Sequence, residues 1–380
     1  MSGYSKRGPY QFPELEARVT LATIQRIGTA VPPHDVHDAF VEFVGARLTD
    51  GRERRLFQRL VGRAAIDHRF SYFDPAIHLG QGPGERFYVP GHFPSTARRM
   101  AFFEQQAPTL AHHAIQQLDL GEERRHISHL VVACCTGFMA PGLDQRIVEL
   151  AGLSPSVERT MVGYMGCYAG VTSLRLAHHI LRSEPSARVL VVALELCTLH
   201  FQDTTGLEDL LSMLLFGDGC AAALVTADGP GIALEDFRAA TIADSAPAIT
   251  WRIGDDGFIM HLSGEVPAVI RRAMQEERAR GDAGGLLRGA APSEYPLWAV
   301  HAGGRAILDS VETGLGLPPE ALARSREVLR DYGNMSSATI LFVLQRILAE
   351  RGRVVAPGTR GFGVAFGPGL AAESLRFRVT

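Results

Sequence analysis

The sequence predicts an α/β fold, and three observations carry that prediction. The chain has 380 residues, of which 46% are hydrophobic, which suits about two to three domain-sized units or two closely packed halves. Short apolar runs alternate along the chain with segments of helical period. Gly and Pro mark the loops between these segments. Together the three features indicate a sheet covered by helices.

The individual elements follow from the length and period of each apolar segment. Short apolar runs bounded by turn residues predict strands over 130–135, 188–194, 220–226, 297–301, 362–366 and 374–379. Apolar residues spaced by three or four positions predict helices over 52–66, 97–118, 168–183, 303–313, 319–330 and 335–350.

Composition excludes several classes of function. All basic residues but Lys6, in the polar segment 1–13, are arginines, so chemistry that needs a fixed amine, such as Schiff-base or P-loop chemistry, is not expected. A net charge of −3 argues against a nucleic-acid surface. No apolar run reaches about 18 residues and no signal-peptide pattern is present, so we expect a cytoplasmic protein without a membrane segment. Five cysteines indicate reduced thiols.

Two predicted helices repeat each other in sequence. Setting residues 167–181 against 334–348 matches Thr172 with Thr339 and Leu174 with Leu341, and the Ile-Leu pairs at the ends also coincide. Chance explains this match as well as duplication does, because apolar positions recur in any amphipathic helix. Duplication would place Cys167 and Asn334 at equivalent helix starts.

Cys167 is the candidate nucleophile. It follows a turn of small residues and precedes a predicted helix, whose N-terminus favours thiolate and supplies N–H donors to an oxyanion. A buried structural cysteine is the alternative interpretation. Cys135 lies where a predicted strand ends at Thr136-Gly137, which suits the wall of a pocket.

His301 and Asn334 are candidates for further catalytic roles. His301 ends a predicted strand ahead of two glycines, and strand ends carry functional groups in α/β folds. Asn334 by itself indicates a helix N-cap, a role that does not exclude catalysis by its amide. The remaining histidines lack an ordered set of further ligands, so no metal site is expected.

Arg55, Arg59 and Arg63 recur every four residues and form one cationic stripe on a predicted helix. Arginine forks suit phosphates and carboxylates. A solvated helix face is the alternative interpretation.

Cys167, His301 and Asn334, in this order, resemble the Cys-His-Asn triad of type III polyketide synthases, the chalcone synthase-like branch of the thiolase superfamily. The resemblance extends over most of the chain. It includes the segments 135–142, 163–167, 215–219, 301–309, 332–337 and 365–369. The ordered set is far more specific than any single segment.

The resemblance implies a thiolase fold, an α/β architecture of five layers, αβαβα, with two duplicated halves. Residues 1–232 would form the half with the cysteine, and residues 233–380 the half with the histidine and asparagine. This favours the duplication interpretation. The resemblance also implies a homodimer that uses acyl-CoA and malonyl-CoA as substrates and needs no cofactor.

The implied chemistry is decarboxylative condensation. An imidazolium of His301 would pair with the Cys167 thiolate and lower its pKa, and the sulfur would take the starter acyl group from CoA. Malonyl-CoA would then lose CO₂, with donors from His301 and Asn334 stabilising its enolate. The enolate would attack the acyl group, and repeated extension with ring closure would release the product.

The resemblance also implies which residues shape the pocket. Phe216 matches the gatekeeping aromatic residue, and Met260 stands at the second gatekeeper position, where plant enzymes carry Phe; a thioether there softens the entrance. Further positions match pocket residues of the family, namely Cys135, Glu195, His200, Ser336, Phe366 and Pro368.

For the CoA phosphates, Arg59 and Arg63 match two of three basic positions of the family. Leu56 occupies the first position, and Arg55 is its neighbour.

Within the family, the segment 195–202 and the gate at Met260 resemble bacterial alkylresorcinol and alkylpyrone synthases, which use fatty acyl-CoA starters. A synthase of the tetrahydroxynaphthalene or phloroglucinol kind, which uses malonyl-CoA alone, is the alternative, because the Cys135 thiol would suit a polar chain. Ketoacyl-carrier-protein synthase III shares the triad, but Phe216 and the segment 365–369 favour the polyketide branch.

Overall fold

The computed structural model describes residues 21–78, 86–227 and 229–380. The strands in this part of the chain are β1 (Ala22–Ala30), β2 (His34–Asp35), β3 (Phe70–Ser71), β4 (His129–Cys134), β5 (Glu158–Gly163), β6 (Arg188–Leu196), β7 (Asp218–Ala227), β8 (Ile232–Thr241), β9 (Ile249–Gly254), β10 (Gly257–Leu262), β11 (Leu297–Val300), β12 (Arg360–Gly367) and β13 (Ala371–Val379).

The α-helices alternate with these strands. They are α1 (His37–Arg47), α2 (Gly51–Ala64), α3 (Pro75–His78), α4 (Thr96–Gln116), α5 (Leu143–Ala151), α6 (Ala169–Ser183), α7 (Leu207–Leu215), α8 (Val266–Ala279), α9 (Arg305–Leu315), α10 (Ala323–Tyr332) and α11 (Thr339–Ala349).

The large sheet joins two halves that share one strand order. Among the described residues it has nine strands in the order β11-β12-β13-β8-β1-β7-β6-β4-β5. β4 and β6 are parallel while β6 and β7 are antiparallel, and the same relations hold for β11, β12 and β13. β1 and β8 meet between the halves as an antiparallel pair. Apart from β5, each strand of one half has a counterpart in the other, as duplication predicts.

Helices cover the outer faces of the sheet and fill the space between its halves. Val131 and Ala133 of β4 share one core with α6, α11 and the inner face of the other half. Leu130 and Val132, which alternate with them, face outward against α4 and α5. In the second half, the outer face packs against α8 and α9. The layers therefore follow the order αβαβα, which confirms the predicted thiolase fold.

The predicted elements are all present, with ends that differ by a few residues. The helix predicted over 319–330 is a 3-10 turn followed by α10, and the helix predicted over 335–350 is a 3-10 turn followed by α11. Among the strands, β1, β5 and β8 of the large sheet and the hairpin of β9 and β10 were not predicted, because polar residues interrupt their apolar runs.

Three further expectations concern the N-terminal segment, the boundary between the halves and membrane helices. Lys6 and the polar segment 1–13 lie outside the described residues. The predicted boundary after residue 232 falls at the first residue of β8. Within the described ranges, no helix combines the length and apolar character needed to cross a membrane.

Candidate active site

The fold brings Cys167, His301 and Asn334 to the wall of one cavity of about 300 Å³. Cys167 lies two residues before α6, and Asn334 precedes the turn that leads into α11. His301 directly follows β11. All three residues are buried. The two central helices and one strand end therefore converge on the cavity.

The turn before Cys167 requires glycine at position 166. Gly166 has a φ of +82°, and a Cβ atom there would lie 2.4 Å from Cδ of Pro368. Its N–H donates to Sγ of Cys135 at 2.9 Å. This turn therefore fixes Cys167 between Cys135, at the end of β4, and the loop at Pro368.

Burial dominates the protonation of the Cys167 thiol. It raises the pKa of Cys167 to about 11, and the charge of Glu195 acts in the same direction. Hydrogen bonds with the side chains of Ser336 and Asn334 act in the opposite direction, because they favour the thiolate. The thiol is therefore the main form at neutral pH in this arrangement.

His301 is held by its backbone and not by its ring. Its N–H donates to the carbonyl of Val364 at 2.9 Å, whereas neither Nδ1 nor Nε2 has a hydrogen-bond partner among the described residues. Burial lowers the pKa of His301 to about 3, so its imidazole is neutral. Burial therefore opposes the thiolate–imidazolium pair expected from the sequence, since it favours the neutral form of both groups, and that pair stays a prediction.

Asn334 is tied by its backbone to the segment of Phe216. Its N–H donates to the carbonyl of Leu215 at 2.8 Å, and its carbonyl accepts from the N–H of Gly217 at 3.0 Å. Its amide Nδ2 donates to the carbonyl of Gly303 at 3.3 Å, and its side chain also forms a hydrogen bond with Cys167. Phe216 and Asn334 are therefore parts of one hydrogen-bonded unit.

Seven of the eight predicted pocket residues line the cavity. They are Phe216, Met260, Cys135, His200, Ser336, Phe366 and Pro368. The backbone of Ser336 has a φ of +46°, an uncommon conformation for serine. It is held by the N–H of Ser336, which donates to Oδ1 of Asn334 at 2.8 Å.

Glu195 lies behind the cavity wall and not on it, contrary to the prediction. Its carboxylate accepts hydrogen bonds from the N–H of Cys135 at 2.9 Å and from the hydroxyls of Thr136 at 2.9 Å and Ser337 at 2.5 Å. These donors enclose the oxygens and turn them away from the cavity. Burial nevertheless raises the pKa of Glu195 to about 7.

The structure does not bring the predicted CoA-binding arginines to the cavity wall. Arg55, Arg59 and Arg63 lie on the exposed face of α2, and no ion pair joins them to an acidic residue within the described ranges. α2 packs against α7, whose residues Ser212 and Met213 line the cavity. Their contact with CoA therefore stays a prediction.

Several cavity residues were not found from the sequence. Trp251 of β9 donates its indole N–H to the carbonyl of Cys135 at 2.8 Å and packs edge-on against His200. Phe40 of α1 and Phe201 line another part of the cavity, with ring centroids 5.5 Å apart. No local motif marks these residues, because only the tertiary fold brings α1 and β9 to Cys167. In the described part of the chain, no cluster of three acidic, His or Cys side chains suits a metal ion.

Comparison with known proteins gives two results. The sequence model for the N-terminal domain of chalcone and stilbene synthases matches residues 13–229, and that for the C-terminal domain matches residues 237–380. The crystal structure of PKS-I from the brown alga Ectocarpus siliculosus is similar with a TM-score of 0.84 and 26% sequence identity, over 96% of this chain and 100% of that chain.

Two further solved structures are similar over nearly their whole length. The C-terminal type III polyketide synthase domain of Steely1, a type I/III hybrid from Dictyostelium, has a TM-score of 0.82 and 25% identity, over 94% of this chain and 99% of that chain. A variant of CsyB, 24% identical with a TM-score of 0.82 over 95% of this chain and 100% of that chain, shares the fold.

Proposed function

The chain belongs to the chalcone and stilbene synthase family and is a type III polyketide synthase, an enzyme of the acyltransferase type; from this premise we propose that it extends a fatty acyl-CoA starter with malonyl-CoA. In this proposal Cys167, His301 and Asn334 are the catalytic residues. The observation that carries the proposal is their meeting at one largely apolar cavity.

Loading of the starter begins with a proton transfer from Cys167 to His301. The neutral imidazole offers one unprotonated ring nitrogen, and the absence of a described protein partner leaves that nitrogen free. The thiolate then attacks the thioester carbonyl of the acyl-CoA. CoA leaves as its thiolate and takes the proton back from His301, so the acyl group remains on Sγ as a thioester.

Extension uses the same cavity for malonyl-CoA. When CO₂ leaves, the electrons of the broken carbon–carbon bond pass into an enolate on the thioester oxygen. The N–H of neutral His301 and an amide N–H of Asn334 donate to that oxygen; each such donor contributes about 2.7–4 kcal/mol in comparable sites. The enolate carbon attacks the acyl carbonyl, and Cys167 leaves as thiolate. The lengthened chain returns to Cys167 for the next round.

The apolar character of the cavity supports a fatty acyl starter. The side chains of Val36, Phe40 and Phe201 line the part formed by α1, while Ile249 and Leu262 line the part formed by the β9–β10 hairpin. Such walls bind an alkyl chain without leaving a polar group unpaired. Closure of the extended chain by aldol or lactone formation would then give an alkylresorcinol or an alkylpyrone.

One observation favours a synthase that uses malonyl-CoA alone. The Cys135 thiol lines the cavity beside the Cys167 turn, where it would contact a polar poly-β-keto chain. We keep this as the second candidate.

A panel of acyl-CoA starters with malonyl-CoA, analysed by mass spectrometry, separates the two candidates. We expect long-chain starters to give alkylated products that incorporate malonyl units. Turnover of malonyl-CoA alone, with long-chain starters inert, would contradict the fatty acyl proposal and support the second candidate. Cys167→Ala is the control for product that forms without the Cys167 thiol.

Two phenylalanines of α1 sharpen this test. Phe40 lines the cavity, whereas Phe43 contacts the ring of Phe201 without lining the cavity. Phe40→Trp should reduce the length of the longest acyl-CoA starter that the enzyme accepts. Phe43→Trp should leave that length unchanged. An unchanged limit in Phe40→Trp would show that the alkyl chain lies elsewhere.

The proposal includes a homodimer. β5 is the edge strand of the sheet within the described residues, so its outer N–H and C=O groups are free to pair with another strand. Met161 of β5 is 44% exposed and Phe138 is 48% exposed, an apolar surface that a second copy would bury. Light scattering should give twice the 41.2 kDa chain mass, and a monomer would contradict this part of the proposal.

A further inference from the structure

Arg69 is a fully buried arginine that no sequence motif marks, and it contacts the segment that carries Phe216. Its Nη1 donates to the carbonyls of Met213 at 2.9 Å and Phe216 at 2.8 Å. Its Nε donates to Nδ1 of His37 at 3.1 Å, and its guanidinium lies 4.6 Å from the ring centroid of Phe40. Arg69 therefore satisfies two carbonyls at the C-terminal end of α7, that of Met213 within the helix and that of Phe216, the first residue after the helix.

The stem of Arg69 lies between two glycines that flank site residues. A Cβ atom on Gly217 would lie 3.5 Å from Cβ of Arg69. On Gly333, which has a φ of +68°, it would lie 2.9 Å from Cγ of Arg69. Gly333 therefore allows the Arg69 stem to approach the backbone closely, whereas at Gly217 a Cβ atom would clash with the carbonyl of Tyr332, at 2.7 Å. Gly217 follows the gate residue in the sequence, and Gly333 precedes Asn334.

The two segments that Arg69 contacts are also joined to each other. Phe216 and Asn334 form a parallel β-bridge, through the backbone hydrogen bonds of Asn334 with Leu215 and Gly217. Arg69 packs against one side of this bridge and holds the carbonyl of Phe216. A shift of the Arg69 side chain would therefore move the gate and the amide of Asn334 together.

The charge of Arg69 is costly where it lies. Burial lowers the pKa of Arg69 to about 10, while the charges of Asp218 and Asp35 act in the opposite direction. The hydrogen bonds of the guanidinium to the carbonyls of Met213 and Phe216 offset part of the desolvation cost. A substitution of Arg69 therefore acts directly on the carbonyl of Phe216.

We propose that Arg69 is a positioning residue, which aligns the Asn334 amide and the Phe216 gate for decarboxylation of malonyl-CoA. The proposal rests on the proposed function, in which Asn334 donates to the enolate. In loading, Asn334 supplies only one of two side-chain hydrogen bonds that favour the Cys167 thiolate, whereas in decarboxylation it donates to the enolate itself. A change at Arg69 should therefore lower decarboxylation more than loading.

The test measures two steps separately in Arg69→Met and Arg69→Lys. Starter loading is followed by the mass of the intact protein, and decarboxylation by the conversion of malonyl-CoA to acetyl-CoA. We expect Arg69→Met to lower decarboxylation by about 10- to 100-fold, the size of effect that a misplacement of about 1 Å produces, with loading changed less than about threefold. Arg69→Lys keeps a donor near the carbonyls and should recover part of the loss.

Arg99 provides a matched control. It is also fully buried, and it also donates to backbone carbonyls, namely those of Pro94, Leu199 and Phe201, none of which belongs to the Phe216–Asn334 bridge. We expect Arg99→Met to lower thermal stability and to reduce loading and decarboxylation in equal proportion. If Arg69→Met, or Arg69→Lys should the former not fold, shows the same equal proportion, the proposal is wrong.

Asn334→Ala separates failure of this inference from failure of the proposed function. Retained decarboxylation in Asn334→Ala would remove the role of Asn334, and the role of Arg69 with it. Lost decarboxylation in Asn334→Ala, together with normal decarboxylation in both Arg69 variants, would overturn only the positioning role.

Discussion

Cys135 and His301 follow equivalent strands of the two halves, but their polar atoms differ in what they contact. Each residue comes directly after a strand, β4 or β11, that runs parallel to its neighbour. The N–H of Cys135 donates to Glu195, its carbonyl accepts from Trp251, and its sulfur accepts from the N–H of Gly166. The ring of His301 contacts no such partner in the described residues.

This difference separates a supporting position from a reacting one. Buried polar groups are rarely left without a hydrogen bond, because each such group costs about 1–3 kcal/mol. Cys135 meets that rule, and it holds the turn before Cys167. His301 breaks the rule, and it lies in the lining of the cavity. In the proposed function, the same scaffold position serves structure in one half and chemistry in the other.

The largest effect is expected from substitution of His301, the residue that reacts in the proposed function. His301→Gln keeps an N–H donor for the enolate but cannot take the proton of Cys167, so we expect loading of Cys167 to fall by about 10²–10⁴-fold and malonyl-CoA decarboxylation to fall less. His200→Gln is the matched control, because both ring nitrogens of His200 have partners, the carbonyl of Thr136 and the N–H of Phe258. Equal losses in the two variants would contradict the comparison.

A change outside the inner cavity should affect binding and not chemistry. Arg59 and Arg63 are exposed, and exposed charge contacts contribute about 0.2–1 kcal/mol each. Replacing both by Ala should raise KM for both CoA substrates roughly tenfold with little change in kcat. Arg182→Ala, at the far end of α6 from Cys167, is the control. An unchanged KM would remove these arginines from the CoA site.

Glu195 tests how the supporting side acts on the nucleophile. Its carboxyl has a pKa of about 7, and its charge raises the pKa of Cys167. Above pH 7 the Glu195 carboxyl of the wild type is mostly charged. Glu195→Gln removes this charge, so it should lower the pKa of Cys167 and speed its labelling by iodoacetamide in that pH range. Below pH 7 the carboxyl is mostly protonated, so wild type and variant should label alike. A shift confined to low pH would contradict this account.

The raised pKa of Glu195 also fixes the sign of its effect on stability. Because the folded-state pKa lies above the ordinary value of 4.5, the contribution of this carboxyl to stability is greatest below pH 4.5 and declines as the pH rises to about 7. The free energy of unfolding of Glu195→Gln should therefore improve relative to wild type over that range.

The smallest expected effect concerns Cys135 itself. Serine keeps an acceptor for the N–H of Gly166, so Cys135→Ser should retain turnover within about fivefold, a change of about 1 kcal/mol. Loss of activity on malonyl-CoA alone, with loading intact, would instead support the second candidate function.

The sequence predicted the parts of the site that depend on local pattern. Strand ends and helix starts carry recognisable signals, so Cys167, His301 and Asn334 were found before the fold was known. The alternation of strands and helices predicted the α/β class, which depends on residues close together in the chain. The αβαβα layers were implied by the family resemblance alone.

The remaining contacts join residues far apart in the chain. Donors from Cys135, directly after β4, and from Ser337, in the turn before α11, enclose the carboxylate of Glu195. No local sequence pattern shows that this carboxylate lies behind the cavity wall. Arg69 and Phe216 are 147 positions apart, and only the tertiary fold joins them. The burial that lowers the pKa of His301 also depends on the whole fold.

The central claim is that Cys167 carries the acyl chain, and peptide mapping after single loading tests it most directly. Incubation with a fatty acyl-CoA in the absence of malonyl-CoA should add one acyl group to the peptide of Cys167 and release one CoA. Cys167→Ala should remain unmodified, and Cys135→Ser should load as wild type does. An acyl group on Cys135 or Cys197, or loading that persists in Cys167→Ala, would contradict the account.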